Sequence, residues 1–382
     1  MPQEKSKEHY FFEFARKRSA YLRWALVVCS GFLGGVAGVL SVFLAQAMLA
    51  LGGDDSAAKH GISKNHASRL GGVVIFGFVM LSYVWYTYGV NQPMIDDTVA
   101  GILMAGTGFF LLGLFEDLKG LLRASTRFYT MLLLMAVFLF WQPEYTLKST
   151  GLAALDNLLL SYAPLAFLFT VFGVVFLVNA FNTADGANGL ISGLSMVICF
   201  GLIQQGLGLT GGMLALIAIG CGIFMLFNVI VGRIFMGDGG AYFLGATLSL
   251  ALINVCNNSD ISPWYLLCLI FYPHADLLFS MARRKGAGKA MFAADNGHLH
   301  NLIYRKLSSI PSIMSSANTV TGLTVAVVFG GLPLLLWNYA PQSNWLFIYC
   351  LLWLLYAVLW GLFADRQTRT IEFSQPVSTE NL

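Results

Sequence analysis

Charge is scarce in this sequence. Of its 382 residues only 11% are Asp, Glu, Lys or Arg, against about 25% in an ordinary soluble domain. With 57% of residues hydrophobic, no water-soluble fold could hide the apolar surface, and the bilayer is the expected solvent. The formal net charge is only +3 and no basic run alternates with aromatics, which excludes nucleic acid as an expected partner. Cysteine is sparse as well. Cys29, Cys199, Cys221, Cys256, Cys268 and Cys350 contain no Cys-x-x-Cys pair, so neither a zinc knuckle nor a dithiol redox motif is supported. Their apolar neighbours point to buried packing. A nucleotide-binding Walker loop is missing too, because Gly286-Ala287-Gly288-Lys289 lacks both the spacing and the following Ser or Thr. No secretory leader is expected: the first apolar run, Trp24 to Leu51, is too long and is followed by further runs.

Long apolar runs are what the chain does have. A membrane span takes about 20 apolar residues. Eleven stretches qualify: 24–51, 71–90, 98–115, 124–141, 164–181, 190–205, 212–232, 241–256, 263–281, 319–338 and 345–363. The runs 190–205 and 241–256 are short, which suits segments partly in loops or shielded by neighbours. Backbone groups in lipid must bond within their own segment, so a closed helical bundle is expected. The fold class is therefore all-α: a polytopic integral membrane protein with about 10–11 transmembrane helices. Residues 1–23 form a basic tail or surface helix, 24–363 a single transmembrane domain, and 364–382 a polar tail.

Polar residues gather in five loops spaced two spans apart: Arg69-Leu70-Gly71-Gly72, Glu116-Asp117-Leu118-Lys119, the segment 182–189, Phe235-Met236-Gly237-Asp238-Gly239-Gly240 and Asp295-Asn296-Gly297-His298-Leu299-His300. Two spans return a chain to the side it left, so all five share one face. That face, with the C-terminal tail, carries 15 Lys and Arg, and the opposite loops carry only Lys148. The excess of positive charge marks the cytoplasmic side. The six basic residues before Trp24 run against this, since eleven spans put that tail outside.

The adjacent carboxylates Glu116 and Asp117 end an apolar run, and stay ionised only if a cation or a donor compensates them. Lys119 or a divalent metal could do so; a solvated helix terminus is the plain reading. Asp185 and Asn188 share a face if 185–192 opens a helix, with Asn182 one turn earlier. A calcium loop fails there, because Ala187 occupies a ligand position and no Glu closes a twelve-residue loop. Asp238 sits among glycines that leave room for a hydrated metal and a phosphate, and magnesium takes one or two carboxylates plus phosphate oxygens and water. Phe235 reads either as an interfacial aromatic or as a platform for a flat base. Arg283 and Arg284 read either as topology anchors or as anion contacts. His298-x-His300 suits a diphosphate better than zinc, which has no cysteine nearby. Asp276 lies within a span, where an acid is either functional or bonded to a neighbouring helix.

Taken in order over roughly residues 60–306, these motifs resemble the polyprenyl-phosphate N-acetylhexosamine-1-phosphate transferase family. Glu116-Asp117-Leu118-Lys119 is similar to its paired-aspartate motif, the stretch from Asn179 to Gly189 to its Asn-x-x-Asn-x-x-Asp-Gly-x-Asp-Gly motif, and Asp295 to Asn301 to its Asp-x-x-His-x-His-His motif; Phe235-Met236-Gly237-Asp238 is intact. Glu116, Asn188, Ala241 and Asn301 stand where the family has Asp, Asp, Ser and His, and Lys119 comes one residue early.

The resemblance implies transfer of a sugar-1-phosphate from a UDP-N-acetylhexosamine or related UDP-sugar to undecaprenyl phosphate. It implies Glu116, Asp117, Asp185 and His298 in catalysis, and Asp238 with Asp117 on Mg2+ (Mn2+ as the alternative). Arg69, Lys119, Asn182, Asn188, Phe235, Arg283, Arg284 and His300 would contact substrate. It implies a bacterial inner membrane location with the loops facing the cytoplasm, membrane lipid as a partner and a homodimer as a further expectation. The competing class is a membrane transporter with a cytoplasmic polar vestibule. That class often shows inverted repeats and midplane ionisable groups, whereas no repeat is visible here and most acids lie at span ends.

Overall fold

The computed structural model describes residues 44, 47, 68–86, 96–232, 234–288, 295–342 and 344–364. The basic tail, nearly all of the span 24–51 and the tail beyond Ala364 lie outside the described residues. The rest is helical, as the apolar runs require. In chain order the helices are α1 (Gly71–Val84), α2 (Asp97–Lys119), α3 (Ala124–Trp141), α4 (Ala153–Ser161), α5 (Ala163–Ala184), α6 (Leu190–Ile203), α7 (Gly208–Ile230), α8 (Gly237–Asn258), α9 (Pro263–Leu269), α10 (Phe271–Gly286), α11 (Leu299–Ser308), α12 (Ala317–Leu335) and α13 (Trp345–Phe363).

Seven of these (α2, α3, α5, α7, α8, α12 and α13) are long and apolar enough to cross a membrane. The fold is an all-α, multi-pass membrane protein. The expected span 263–281 is a broken one: α9 and α10 meet at 81°. The expected spans 71–90 and 190–205 contain the shorter apolar helices α1 and α6. The run 241–256 belongs to a full-length helix, and it looked weak in sequence because α8 faces protein rather than lipid. Of its spanning window 83% is buried, against 22% for α3 and 11% for α13. Small residues let neighbours approach α8 backbone to backbone. A Cβ added at Gly113 of α2 would lie 2.5 Å from the Asp238 carbonyl. Around this centre pack α2, α5 and α1. Leu111, Phe140, Trp141, Leu335 and Leu362 remain exposed, as lipid-facing side chains do.

At one end of the bundle lie the termini of α2, α5, α7, α10 and α13 and the starts of α1, α3, α6, α8, α11 and α12. Every motif of the sequence falls at that end. The opposite end carries α4 and Tyr145, Trp264, Tyr339 and Trp345, and is tied by Asn257 donating to the Glu144 and Thr146 carbonyls.

Candidate active site

Asp238 lies on the first turn of α8 and is 5% exposed. A carboxylate so buried costs several kcal/mol of lost hydration unless donors compensate it. Four do. Arg127 of α3 donates to Oδ2 at 2.5 Å and Tyr242 donates to the same oxygen at 3.1 Å. Asn182 of α5 donates to Oδ1 at 3.0 Å, and Arg69 lies 3.5 Å from that oxygen. The positive end of α8 adds to this. Asp117 of α2 caps the same helix from outside: its Oδ1 accepts the Asp238 N–H at 2.9 Å and its Oδ2 the Gly239 N–H at 2.8 Å. Glu116 accepts the Leu122 N–H at 3.0 Å through one oxygen and lies 3.7 Å from Arg127 through the other.

The loop before α1 is stitched to the turn before α8. Phe235 N–H donates to the Ser68 carbonyl at 2.7 Å, Gly71 N–H to the Phe235 carbonyl at 2.9 Å, and Gly72 N–H to the Met236 carbonyl at 2.8 Å. Those bonds set Arg69 beside Asp238. Gly237 has a φ of 72°, and a Cβ there would lie 2.6 Å from Asp117 Oδ2. The glycine is what lets the two acids meet.

The expectation that 185–192 opens a helix is corrected. α5 runs to Ala184, Asp185 caps it, and Gly189 (φ 78°) turns the chain before α6 starts at Leu190. Asp185 and Asn188 therefore do not share a helical face. Burial pushes the Asp185 carboxyl up to about 7; Arg69 pulls the other way, and the charges of Asp238 and Asp117 add to the rise. Asn188 instead joins an amide network. Its N–H donates to Asn318 Oδ1 at 2.6 Å and its own Oδ1 accepts from Asn228 at 3.3 Å. Asn228 also ties down Gly189 N–H and the Ile234 carbonyl.

A second cluster forms where the segment before α11 meets α10. Asp276 is 1% exposed. Its Oδ2 accepts His298 Nδ1 at 2.6 Å, and its Oδ1 accepts the Leu299 N–H at 3.0 Å, capping α11, and the Tyr356 hydroxyl at 2.6 Å. Asp295 is held by Ser280, Arg283 and the Gly297 N–H. These donors hold it below the usual carboxylate range despite burial. Burial would lower the His298 pKa, but Asp276 outweighs it and the net shift is upward. His300 is different. Tyr272 accepts the His300 backbone N–H at 3.2 Å and also hydrogen-bonds with His300 Nδ1, 2.9 Å away; burial lowers that imidazole to about 4. The turn 185–189 joins the clusters, since a Cβ on Gly186 would overlap His300 Nε2 while Asp185 feels Arg69, Asp238 and Asp117.

Of the residues singled out in the sequence, Arg69, Glu116, Asp117, Asn182, Asp185 and Asp238 thus converge; His300 meets the turn 185–189, and His298 stacks on His300 with centroids 5.6 Å apart. Phe235 is half-buried beside Arg69, and Lys119 stands exposed at the last turn of α2. Arg283 is paired with Asp295 and lies over the Trp360 ring, 5.6 Å from its centroid. Arg284 is buried and donates to the Ser280 carbonyl. Arg127, Tyr242 and Tyr356 were missed. Arg127 carried a signal, being the cation on the first turn of a span that starts on the motif side. Among the described residues no three His, Cys, Asp or Glu side chains converge into a metal cage. Asp117 and Asp238 still offer the hard oxygens of a site completed by phosphate oxygens and water.

Residues 99–256 match the family described as Glycosyl transferase family 4. The chain is 27% identical over 268 residues to the decaprenyl-phosphate N-acetylglucosaminephosphotransferase of Mycobacterium tuberculosis, a stretch covering 61% of this chain and 64% of that protein. It is 36% identical over 152 residues to the undecaprenyl-phosphate alpha-N-acetylglucosaminyl 1-phosphate transferase of Escherichia coli K12, covering 37% and 41%. A protein of the same description from Thermotoga maritima is 31% identical over 147 residues, covering 38% and 46%. The matches therefore span less than two thirds of these relatives' own length.

Proposed function

We propose that this chain, whose residues 99–256 match glycosyl transferase family 4 and which is similar to polyprenyl-phosphate N-acetylglucosamine-phosphate transferases, moves an N-acetylhexosamine-1-phosphate from a UDP-sugar to undecaprenyl phosphate. The product would start a cell-surface glycan of the O-antigen type. The site faces the cytoplasm of a bacterial inner membrane, in keeping with the 15 Lys and Arg on that side. One observation carries the reading: two carboxylates, two arginines and an amide from five separate segments share one buried point at a mouth of the bundle.

A phosphate oxygen of the lipid bonds to the β-phosphorus of the donor, the bond to the bridging oxygen breaks, and UMP leaves with that oxygen and its electron pair. Such transfer needs alignment and charge neutralisation more than covalent help from the protein. Asp238 and Asp117 would hold magnesium, with manganese as the alternative, and the ion would supply charge neutralisation on the diphosphate. Arg69 and Arg127, which lie beside Asp238, turn to phosphate oxygens. Asp185, Asn182 and Phe235 line the nucleotide side, with Asn188 behind them. His298, whose Nε2 lies 3.8 Å from Asp295 Oδ2, turns that nitrogen to the phosphates. The lipid phosphate brings no proton when it arrives as a dianion; as a monoanion it passes one to Asp185, whose carboxyl titrates near 7.

The test is direct. Purified protein in detergent is given magnesium, undecaprenyl phosphate and a panel of UDP-sugars, and UMP is measured. Release that requires both the lipid phosphate and an N-acetylhexosamine donor supports the reading. Folded protein that releases none, or that moves a solute into proteoliposomes without lipid phosphate, overturns it.

A further inference from the structure

Among the described residues α13 is the least buried of the helices long enough to cross a membrane. Trp345, Leu352 and Tyr356 are its buried residues, and Trp360, one turn after Tyr356 on the same face, is half-buried. Tyr356 reaches α10, and Trp360 reaches the motif segment before α11. The Tyr356 hydroxyl donates to Asp276 Oδ1 at 2.6 Å, and the Trp360 ring N–H donates to the Gly297 carbonyl at 2.9 Å. Gly297 precedes His298, and Asp276 holds His298 Nδ1 through its other oxygen at 2.6 Å. None of these five residues belongs to the stretch that matches the family, 99–256.

We infer that Asp276, Tyr356 and Trp360 are positioning residues for His298, forming a relay from the last helix that fixes which imidazole nitrogen meets the donor phosphates. The inference rests on the proposed role of His298 as a phosphate contact. A buried carboxylate with both oxygens engaged has one orientation. Asp276 Oδ1 takes Tyr356 and the Leu299 N–H, so Oδ2 is aimed at the imidazole. A neutral His298 must then carry its proton on Nδ1, leaving Nε2 to the site, and a charged one donates from Nε2. An acid holding an imidazole in one tautomer is a known device for a working histidine. The Trp360 bond sets the backbone height of the loop, and Arg283 lying over that ring keeps the indole in place.

The groups facing His298 are Asp276, Arg283 and Arg284 of α10, Asp295 of the preceding loop, His300 of α11 stacked at 5.6 Å, and Tyr356 through Asp276. Replacing Asp276 by Asn removes the carboxylate that outweighs burial, so the imidazole loses its proton at lower pH. That change reaches the rate profile only if His298 works in the transfer; a purely structural Asp276–His298 pair would leave the profile in place.

The experiment uses full-length protein in detergent with 15N-labelled histidine, His298→Gln assigning the signals. Wild type is expected to show His298 protonated at Nδ1 when neutral. Asp276→Asn is expected to lose that signature, and its kcat/KM profile to fall on the alkaline side at lower pH than wild type, with a drop of about 10- to 100-fold. Asp276→Glu should return the alkaline limb toward its wild-type position. Tyr356→Phe should keep the limb and lose about threefold to tenfold. A wild-type His298 that is bare at Nδ1, or an alkaline limb unmoved in Asp276→Asn, overturns the relay. Were Asp276→Asn not to fold, wild-type nitrogen shifts and Tyr356→Phe decide it, and a Tyr356→Phe rate equal to wild type overturns it. If wild type transfers no sugar phosphate at all, the proposed function fails separately, and the nitrogen shifts still settle the tautomer.

Discussion

Replacing Arg127 by Met removes a cation from the centre of the site while keeping its bulk. Arg127 meets Asp238 at 2.5 Å and lies 3.7 Å from Glu116. At an effective dielectric near 20, a charge pair about 4 Å apart interacts by about 4 kcal/mol. Arg69 stays 3.5 Å from Asp238 and retains roughly half of the compensation, which leaves a loss of about 2 kcal/mol. A lost hydrogen bond to a charged group gives a similar figure, about 1.5–3 kcal/mol. At about 1.36 kcal/mol per decade, kcat/KM should fall about thirtyfold. Arg127→Lys keeps the charge without the planar fork and should recover part of the loss. Initial rates of UMP release at saturating magnesium measure this. Rates for Arg127→Met within twofold of wild type, in protein of unchanged thermal stability, would refute the role given to this arginine.

Further outcomes follow from the same geometry. Gly237→Ala should cost stability and about a hundredfold in rate, because the new methyl meets Asp117 Oδ2 at 2.6 Å on a backbone with φ of 72°; thermal melts and rates together check it. Asn188→Asp should lower thermal stability by about 1–3 kcal/mol without changing donor preference, since position 188 bonds to Asn228 and Asn318; a switched UDP-sugar preference would contradict this. Asp185 has a folded pKa of about 7 against an ordinary 3.8, so its ionisation opposes folding, and that part of the stability, present below 3.8, is lost as pH rises to about 7. The melting temperature of Asp185→Asn should therefore gain on wild type across that window and run parallel to it above; a constant difference at all pH values would count against the shift.

Much of this was legible in the chain because membrane helices leave few choices. The period of the apolar runs placed the helix ends, and with them the end of the bundle where Glu116, Asp117, Asp238 and the histidines meet. The remainder depended on packing that spacing does not express. Ala124 to Trp141 reads as an ordinary span, so Arg127 counted only as a topology charge until α3 set it against Asp238. Asp276 could be read two ways, and its partners His298 and Tyr356 lie 22 and 80 residues away. The span 263–281 hides its bend, since Pro263 sits harmlessly on the first turn of α9 while the break comes at Ile270. The segment 185–192 misled because Gly189 takes a left-handed conformation, and that choice is made by Asn228 from α7.

The most direct measurement is UMP release by the folded Asp238→Asn variant with magnesium, undecaprenyl phosphate and the UDP-sugar that wild type uses best. The amide cannot serve Arg69, Arg127, Asn182 and Tyr242 at once, nor hold a divalent ion with Asp117, and release should drop by about a thousandfold or more at unchanged expression. Release near the wild-type rate, still dependent on magnesium, would contradict sugar-phosphate transfer at this pair of carboxylates.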